Sequence, residues 1–380
     1  MALIEKSGGI SGFIEYVHNK NALVTSPRSA LMVSYIIGVL IFIESSITAL
    51  VAGAVGKPLC DKYRVPHAKL AYICDSTSAP VCSLLAFNAW GALILGLIST
   101  QISLGIIGGN SIEILIDSLL YNFYAMSALL VAFAVVWFNI NIGPMKNAKQ
   151  TPFNLQAQSG KSVSMYYVIL PIVLMVVSVF VFLYITGDGN LAKGSGSSSV
   201  FYTMLVTLLF TLLYFVGSKN MSLATWGITA FRGASKFITI AFVIFLAFAI
   251  GKVTSELKTG LYLASLANEG LSLYLLAAVI FLLSGVISFS TGTSWGTFSI
   301  MIPVAIPMAV GMDANVALCI GAVISGGVFG DHCSPISDTT IISAMASDCE
   351  VVEHINTQLP YAMISGTIAF LLFILFSFIA

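Results

Sequence analysis

Long apolar segments alternate with short polar ones along almost the whole chain. Six apolar windows come close to the roughly 20 residues that cross a bilayer as a helix, and they cover residues 82–98, 113–138, 165–186, 199–217, 237–255 and 361–379. Three further apolar regions are interrupted by polar residues, glycine or proline: 29–56, 68–81 and 273–345. The pattern therefore predicts an all-α polytopic membrane protein in which some apolar regions are not simple spans.

The basic residues favour one orientation in the membrane. Twelve of the sixteen Lys and Arg residues lie in four polar segments: 18–29, 57–69, 139–164 and 218–236. Because Lys and Arg accumulate in cytoplasmic loops, all four segments are predicted to be cytoplasmic. Both ends of region 29–56 then lie on the cytoplasmic side. This region is therefore predicted to enter the membrane, turn near Glu44 and return as a re-entrant hairpin.

A hairpin, a broken helix and a closing span are predicted twice, in opposite orientations. This succession indicates an inverted-repeat secondary transporter with two re-entrant hairpins and two broken helices. The first unit, residues 29–138, has its hairpin at 29–56, its broken helix at 68–98 and its closing span at 113–138. The second unit, residues 256–380, has the same three elements at 273–310, 313–345 and 361–379. Residues 1–28 are predicted to be the remnant of an N-terminal helix with a cytoplasmic loop. Residues 139–164 are predicted to be a cytoplasmic linker, and residues 165–255 three scaffold spans. Since three spans precede the second unit, the symmetry predicts about three N-terminal helices that this chain lacks.

Polar and helix-breaking residues cluster at three places in the interrupted regions. Residues 326–340, GGVFGDHCSPISDTT, hold two aspartates, three glycines and a proline, and residues 75–80, DSTSAP, repeat this chemistry. Each of these two clusters is predicted to break its helix, because proline lacks an amide donor and glycine is unfavourable in a helix. The second hairpin is predicted to turn within 291–297. Broken helices free backbone groups, which persist at membrane depth only where protein or a wet cavity covers them.

Four carboxylates are predicted at membrane depth: Asp331, Asp75, Glu44 and Asp338. A charge inside the bilayer is costly, so each carboxylate is a candidate site for a cation or a proton. The alternative for each is to cap a half-helix, and for Asp338 both interpretations stay open. Residues with hydroxyl groups at the same breaks are candidate ligands, although such groups commonly bond within their own helix: Ser334, Ser76, Thr77, Ser78, Thr291, Thr293 and Ser294.

These oxygen-rich positions suit a small hard cation. Carboxylates, hydroxyls and freed carbonyls favour sodium, bound at these same residues. A buried carboxylate is harder to ionise, whereas a bound cation favours its ionised form, so one site can hold either protons or sodium. We therefore expect a transporter that exchanges sodium for protons by competition at buried carboxylates, with no cofactor and no enzymatic activity. Asp75, Asp331, Glu44 and residues 291–294 are expected to converge near the middle of the membrane.

Composition narrows the class of protein further. Of 380 residues, 58% are hydrophobic and 8% are charged, whereas about a quarter of the residues in a soluble domain are charged. The net charge of zero argues against a nucleic-acid partner. The expected partners are membrane lipid, sodium ions and protons, with a homodimer as a further option.

The six cysteines form no CxxC pair and are interpreted as packing thiols. His332 lies beside Cys333, but the other three histidines fall in predicted loops without the spacing of zinc ligands.

Four stretches of the sequence resemble the NhaC-type sodium/proton antiporter family of the ion transporter superfamily. They are residues 69–81, 291–297, 330–340 and 354–362. The resemblance implies exchange of internal sodium for external protons across a bacterial or archaeal inner membrane, driven by the proton gradient and without an organic cofactor. Many relatives carry two adjacent acidic residues at the first hairpin tip, where this chain has Glu44 followed by Ser45. Relatives also begin with further hydrophobic helices, in agreement with the symmetry argument.

Two alternative functions stay open at this point. The first is sodium- or proton-coupled exchange of a small organic anion, of the malate/lactate type. Such a site favours a basic residue at membrane depth, and none is expected beside the polar clusters, although half-helix N-termini can bind a carboxylate. The second is an intramembrane aspartyl protease. Such enzymes typically carry a Tyr-Asp motif on one helix and a Gly-x-Gly-Asp motif on another. In this chain Cys74 precedes Asp75, and Val328-Phe329-Gly330 precedes Asp331.

Overall fold

The structure, a computed structural model, describes residues 2–9, 12, 24–42, 44–148, 163–189, 196–235 and 272–379, with the single positions 238, 245, 253, 257 and 262. Within these residues every regular element is a helix, so the prediction of an all-α protein is confirmed. Five of these helices are long and apolar enough to cross a membrane, and a bent pair makes a sixth candidate. The predicted span 237–255 and the loop 256–271 lie outside the described residues apart from those single positions.

The first unit is a series of three helix pairs. A short helix, α1 (Ala2–Lys6), precedes it. The pairs are α2 (Pro27–Leu40) with α3 (Ser45–Lys62), α4 (His67–Ser83) with α5 (Ala89–Ser103), and α6 (Ser111–Leu120) with α7 (Phe123–Trp137). The last pair is bent by 42° at its break. Asn88 starts α5 as its N-cap, because its side chain accepts a hydrogen bond from the Gly91 amide at 3.0 Å.

The second unit repeats this order with a longer closing helix. Its elements are α11 (Leu276–Thr291) with α12 (Ser294–Gly311), α13 (Val316–Cys333) with α14 (Asp338–Ala346), and the single helix α15 (Val351–Ser377). The turn between α11 and α12 contains Gly292 in the left-handed conformation, at φ 66°. Glycine suits this position because a side chain there is strained. Pro335 lies in the four-residue break between α13 and α14.

Among the residues that the structure describes, three helices lie between the two units: α8 (Tyr166–Thr186), α9 (Gly196–Gly217) and α10 (Leu223–Ser235). The prediction that 218–236 is only a loop is wrong, since α10 occupies most of it. Leu223, Trp226 and Ala230 recur at the spacing of one helical face, which explains why this basic segment is nevertheless helical.

The predicted break at residues 75–80 is wrong. Helix α4 continues through Pro80 to Ser83, and the break follows at residues 84–88. A proline removes one amide donor from the helix, but every residue of α4 is buried, so packing on all sides holds the segment together. The hydroxyls of Thr77 and Ser83 also donate to carbonyls of the same helix, at 2.7 and 2.9 Å.

Residues 346–359, which separate the predicted elements 313–345 and 361–379, are helical from Val351 onward. Helix α15 begins at Val351 and therefore includes His354 and Gln358. Four residues separate this pair, so both side chains lie on one face of α15. Both are fully buried. The placing of His67 and His354 in loops is wrong for the same reason, because His67 is the first residue of α4.

Small residues bring α11 and α13 into close contact. Gly326 and Gly330, four positions apart on α13, face Gly285 of α11 with no room for a side chain: a β-carbon on Gly330 would lie 2.1 Å from the Gly285 carbonyl oxygen. Such small-xxx-small pairs let helix backbones approach within a membrane. The Ser288 hydroxyl of α11 adds a hydrogen bond to the Gly327 carbonyl at 2.5 Å.

Around Asp75 the two units meet where α14 packs against α3 and α4 and α15 packs against α4. On α3, a β-carbon at Gly53 would lie 2.6 Å from the Ala346 β-carbon, which shows how closely α14 approaches. Tyr72 of α4 stacks on Tyr361 of α15 with ring centroids 4.5 Å apart. The polar faces of four helices are thereby enclosed between the units.

Candidate functional site

Asp75 on α4 is fully buried and faces donors from the second unit. Its Oδ2 accepts hydrogen bonds from Gln358 Nε2 at 2.6 Å and from the Thr340 hydroxyl at 3.3 Å. Its Oδ1 accepts one from the Ser343 hydroxyl at 3.3 Å. Thr340 and Ser343 lie one turn apart on α14 and Gln358 lies on α15. An ionised carboxylate suits this position because three donors surround it.

Two histidines complete the surroundings of Asp75. His354 Nε2 lies 3.5 Å from Asp75 Oδ2, and the side chain of His354 is fully buried. His332 accepts at its backbone carbonyl a hydrogen bond from Gln358 Nε2 at 2.9 Å. Its Nδ1 lies 3.0 Å from the Tyr124 hydroxyl of α7. A continuous polar cluster therefore links five helices, α4, α7, α13, α14 and α15.

Asp331, near the C-terminal end of α13, is the second buried carboxylate, at 1% exposure. Its Oδ2 accepts a hydrogen bond from the Thr339 hydroxyl at 3.3 Å. The hydroxyls of Ser294 and Ser337 are also close enough to interact with this carboxyl group. Asp331 and Asp75 are near enough for their charges to interact, so they belong to one cluster.

Five buried polar atoms in this cluster have no hydrogen-bond partner among the described residues. A buried polar group without a partner is costly and therefore uncommon in native proteins. The concentration of such atoms around two carboxylates is typical of a place that binds an ion or water. The five are Asp331 Oδ1, Gln358 Oε1, His332 Nε2, His354 Nδ1 and His354 Nε2.

Glu44 and Asp338 are placed differently from the two buried aspartates. Glu44 is half-buried and is the N-cap of α3, where its carboxylate accepts from the amides of Ser46 and Ile47, both at 3.1 Å. Asp338 is exposed in the first turn of α14. The cap of α14 is Ser337 instead, whose hydroxyl accepts from an amide in the first turn at 3.4 Å. Charge interactions do connect Asp338 with Glu44 and Asp75.

Most of the hydroxyl groups predicted as ligands bond to backbone instead. Ser294 is the one that also lies beside Asp331; its hydroxyl donates to the Gly327 carbonyl at 3.2 Å. The Ser334 hydroxyl donates to the Phe289 carbonyl at 2.8 Å. The hydroxyls of Thr77, Ser78 and Thr291 donate to backbone carbonyls of their own helices. Thr293 is the N-cap of α12, and Ser76 interacts with Tyr72.

The groups facing the carboxylates that the sequence interpretation missed come from α14 and α15, and Tyr124 of α7 beside His332 was missed as well. Thr339, Thr340 and Ser343 supply the hydroxyls that face the carboxylates, and His354 and Gln358 supply the nitrogen groups. Their spacing of three and four residues is the available signal, because it places them on single helix faces. Among the described residues, no group of three His, Cys, Asp or Glu side chains is arranged to hold a metal ion. A cation here would need hydroxyl, amide or carbonyl oxygens besides the carboxylates.

Lys69 is a buried basic residue on the same helix as Asp75. It is 2% exposed, and six residues separate the two, which is about 9 Å along the helix axis. Its Nζ donates to the side-chain oxygens of Asn139 and Asn141 at 2.7 and 2.8 Å. Lys69 is therefore a buried basic residue on the helix that carries Asp75, and its ammonium group is engaged with two amides.

An open cleft of about 370 Å³, lined by both polar and apolar residues, lies beside the first turns of α15. Its lining includes Glu350, Glu353, Asn356 and Thr357 from the helix itself and its start. These residues flank His354 and Gln358 along the chain. Because acidic side chains attract cations into a cleft, this cleft is a candidate approach to the buried cluster.

A family model described as the Na+/H+ antiporter family matches residues 81–378 of the chain. An uncharacterized protein of Haemophilus influenzae is 31% identical over 386 residues, which cover 96% of this chain and 74% of that protein. The computed structure resembles the crystal structure of the Alcanivorax borkumensis YdaH transporter, with a TM-score of 0.59 and 16% identity over 98% of this chain and 82% of that one.

Two shorter similarities involve proteins with transport names. An uncharacterized Na+/H+ antiporter of Haemophilus influenzae is 40% identical over 99 residues, or 25% of this chain and 21% of that protein. The malate-2H+/Na+-lactate antiporter of Bacillus subtilis is 34% identical over 107 residues, or 28% of this chain and 22% of that protein. The family and these relatives are transporters, which excludes the protease alternative. The family model covers well over half of the residues, and the chain therefore belongs to the Na+/H+ antiporter family, as a multi-pass membrane transporter and not an enzyme.

Proposed function

We propose that this protein exchanges sodium for protons across the cytoplasmic membrane, with Asp75 and Asp331 as the carboxylates that bind the ions. The observation that carries the proposal is the buried cluster at the junction of the two units, where unpartnered polar atoms surround two carboxylates. Buried ionisable groups between the repeats of a transporter are the usual place for a coupling ion.

The two aspartates have different tasks in this proposal. Asp75 has three donors and a nearby imidazole, so its environment supports a lasting negative charge. Asp331 accepts a hydrogen bond from the Thr339 hydroxyl at Oδ2, whereas its Oδ1 has no hydrogen-bond partner among the described residues and is available to an ion or a proton. Sodium binds when Asp331 is ionised, and a proton takes its place when Asp331 is neutral. Competition at this carboxylate then couples the two fluxes.

The helix ends around Asp331 also favour a cation. Helix α13 ends at Cys333, two residues after Asp331, and the C-terminal end of a helix carries partial negative charge. The hairpin turn between α11 and α12 lies beside this end through Ser294.

Purified protein in proteoliposomes tests the exchange directly. A pH gradient is imposed, and a fluorescent pH probe follows its decay after sodium is added. Sodium should dissipate the gradient with the unaltered protein and should have no effect with Asp331→Asn. Asp117→Asn is the matched control, because Asp117 is exposed on α6 and should exchange sodium normally. A full sodium response in Asp331→Asn would disprove the role of this carboxylate.

Coupled exchange of a small organic anion is the second candidate. Buried Lys69 and the similarity to the malate-2H+/Na+-lactate antiporter favour it. The ammonium group of Lys69 already bonds to two amide oxygens, and the similarity covers 28% of this chain, so exchange of sodium for protons is the better supported candidate. The same vesicles distinguish the two, because the second candidate requires that malate or lactate change the rate of pH decay.

A further inference from the structure

The orientation of the Gln358 side-chain amide follows from its partners. Its Nε2 lies 2.6 Å from Asp75 Oδ2 and 2.9 Å from the backbone carbonyl oxygen of His332. A carbonyl oxygen only accepts hydrogen bonds, so the nitrogen and not the oxygen of the amide must face it. The direction of Gln358 Oε1 is thereby determined as well.

Gln358 Oε1 has no hydrogen-bond partner among the described residues, although Gln358 is fully buried. The buried amides of Asn88 and Asn122 are different, because their oxygens accept hydrogen bonds at 3.0 Å from Gly91 and Ser325. Since Oε1 belongs to the same amide group as Nε2, it lies in the immediate neighbourhood of the Asp75 carboxylate. An unpartnered oxygen at that position is chemically suited to a cation.

We propose that Gln358 Oε1 is a direct ligand of the transported sodium ion, and that this residue contributes to selection of sodium. This inference rests on the sodium/proton exchange proposed above. An amide oxygen is a hard ligand that suits sodium. The amide is neutral, so Gln358 supplies an oxygen ligand without adding a negative charge to the site.

The Nε2 group gives Gln358 a second effect on the same site. It joins Asp75 on α4 to the carbonyl of His332 on α13, while Gln358 itself lies on α15. Sodium bound at Oε1 therefore acts on three helices from both units through one rigid amide. A change in ion occupancy is in this way transmitted to the contact between the units.

Gln358→Met tests the assignment, because methionine has nearly the same length but lacks the amide. Binding of ²²Na+ to purified protein in detergent and the sodium and lithium dependence of exchange in proteoliposomes are measured. Loss of one oxygen ligand should raise the sodium concentration for half-maximal binding about tenfold or more and should change the ratio of the sodium and lithium constants. Gln101→Met is the matched control, since Gln101 is a buried glutamine of α5 without hydrogen-bond partners among the described residues. Its sodium affinity and selectivity should equal those of the unaltered protein.

A purely structural role for Gln358 predicts another pattern. The maximal rate or the thermal stability would fall while the half-maximal sodium concentration and the sodium/lithium ratio stayed unchanged, and that result would overturn the assignment. If Gln358→Met does not fold, Gln358→Asn keeps an amide but withdraws it by one methylene, and the same weaker sodium binding is expected. Failure of the exchange proposal is distinguishable, because ²²Na+ would then not bind to the unaltered protein at all.

Discussion

Replacing Gly330 by alanine should force α11 and α13 apart directly beside Asp331. An added β-carbon would lie 2.1 Å from the Gly285 carbonyl oxygen and 2.7 Å from the Phe289 amide nitrogen, whereas ordinary contacts of a β-carbon are 3.4–4 Å. Both obstacles are backbone atoms, which no side-chain rotation can remove. The two helices must therefore separate by roughly 1 Å.

The expected cost of Gly330→Ala lies at the upper end of overpacking, about 3 kcal/mol. Separation of the helices also weakens the hydrogen bonds from Ser288 and Ser294 to the Gly327 carbonyl, at 2.5 and 3.2 Å. These bonds tie the second hairpin to the helix that carries Asp331. Displacement of a binding group by this distance is enough to impair a preorganised site. Both thermal stability and sodium-dependent exchange should therefore fall.

Thermal unfolding in detergent and sodium-dependent pH decay in proteoliposomes measure the two effects. Gly217→Ala is the matched control, because Gly217 is a helical glycine of α9 with no atom within 4 Å of the added β-carbon. Gly217 is the last residue of α9 and the added β-carbon meets no other atom, so this control should unfold at about the same temperature as the unaltered protein. Unchanged unfolding and exchange in Gly330→Ala would show that the close approach of α11 and α13 is not required, which refutes the reasoning.

Three further changes test other parts of the structure. Asp75→Asn removes the charge that three donors and an imidazole surround, so sodium-dependent pH decay should slow by about tenfold or more, whereas thermal unfolding should change little because the amide oxygen still accepts hydrogen bonds. His67→Ala removes contacts at 2.7 Å to Asp61 and at 3.0 Å to the Asp348 carbonyl, and thermal unfolding should show a loss of about 1–3 kcal/mol. Cys349 lies in the turn before α15, and burial, followed by the nearby carboxylates, raises the pKa of its thiol to about 12. Maleimide should therefore label this thiol slowly at pH 8 in native protein and quickly after denaturation. Fast labelling of the native protein would contradict the placement of Cys349.

Local sequence was sufficient for the helical character of the chain and for a set of four candidate carboxylates that includes the two buried aspartates. Apolar windows, basic segments and polar interruptions depend on neighbouring residues, and a buried charge in an apolar region is conspicuous whatever the fold. The prediction that Asp75 and Asp331 are functional candidates needed no knowledge of distances. The misplaced break at Pro80 shows the limit of local reasoning, because burial of α4 on all sides outweighs the loss of one amide donor.

Tertiary packing alone decided which groups face the two carboxylates. The hydrogen bond from Gln358 to Asp75 joins residues 283 positions apart, and no local pattern specifies such a pair. Glu44 accepts hydrogen bonds from two amides of its own helix, whereas Asp331 Oδ1 has no hydrogen-bond partner among the described residues. The physical reason is that a helix pattern determines which face is polar, but the packing of α14 and α15 on α4 determines what that face meets.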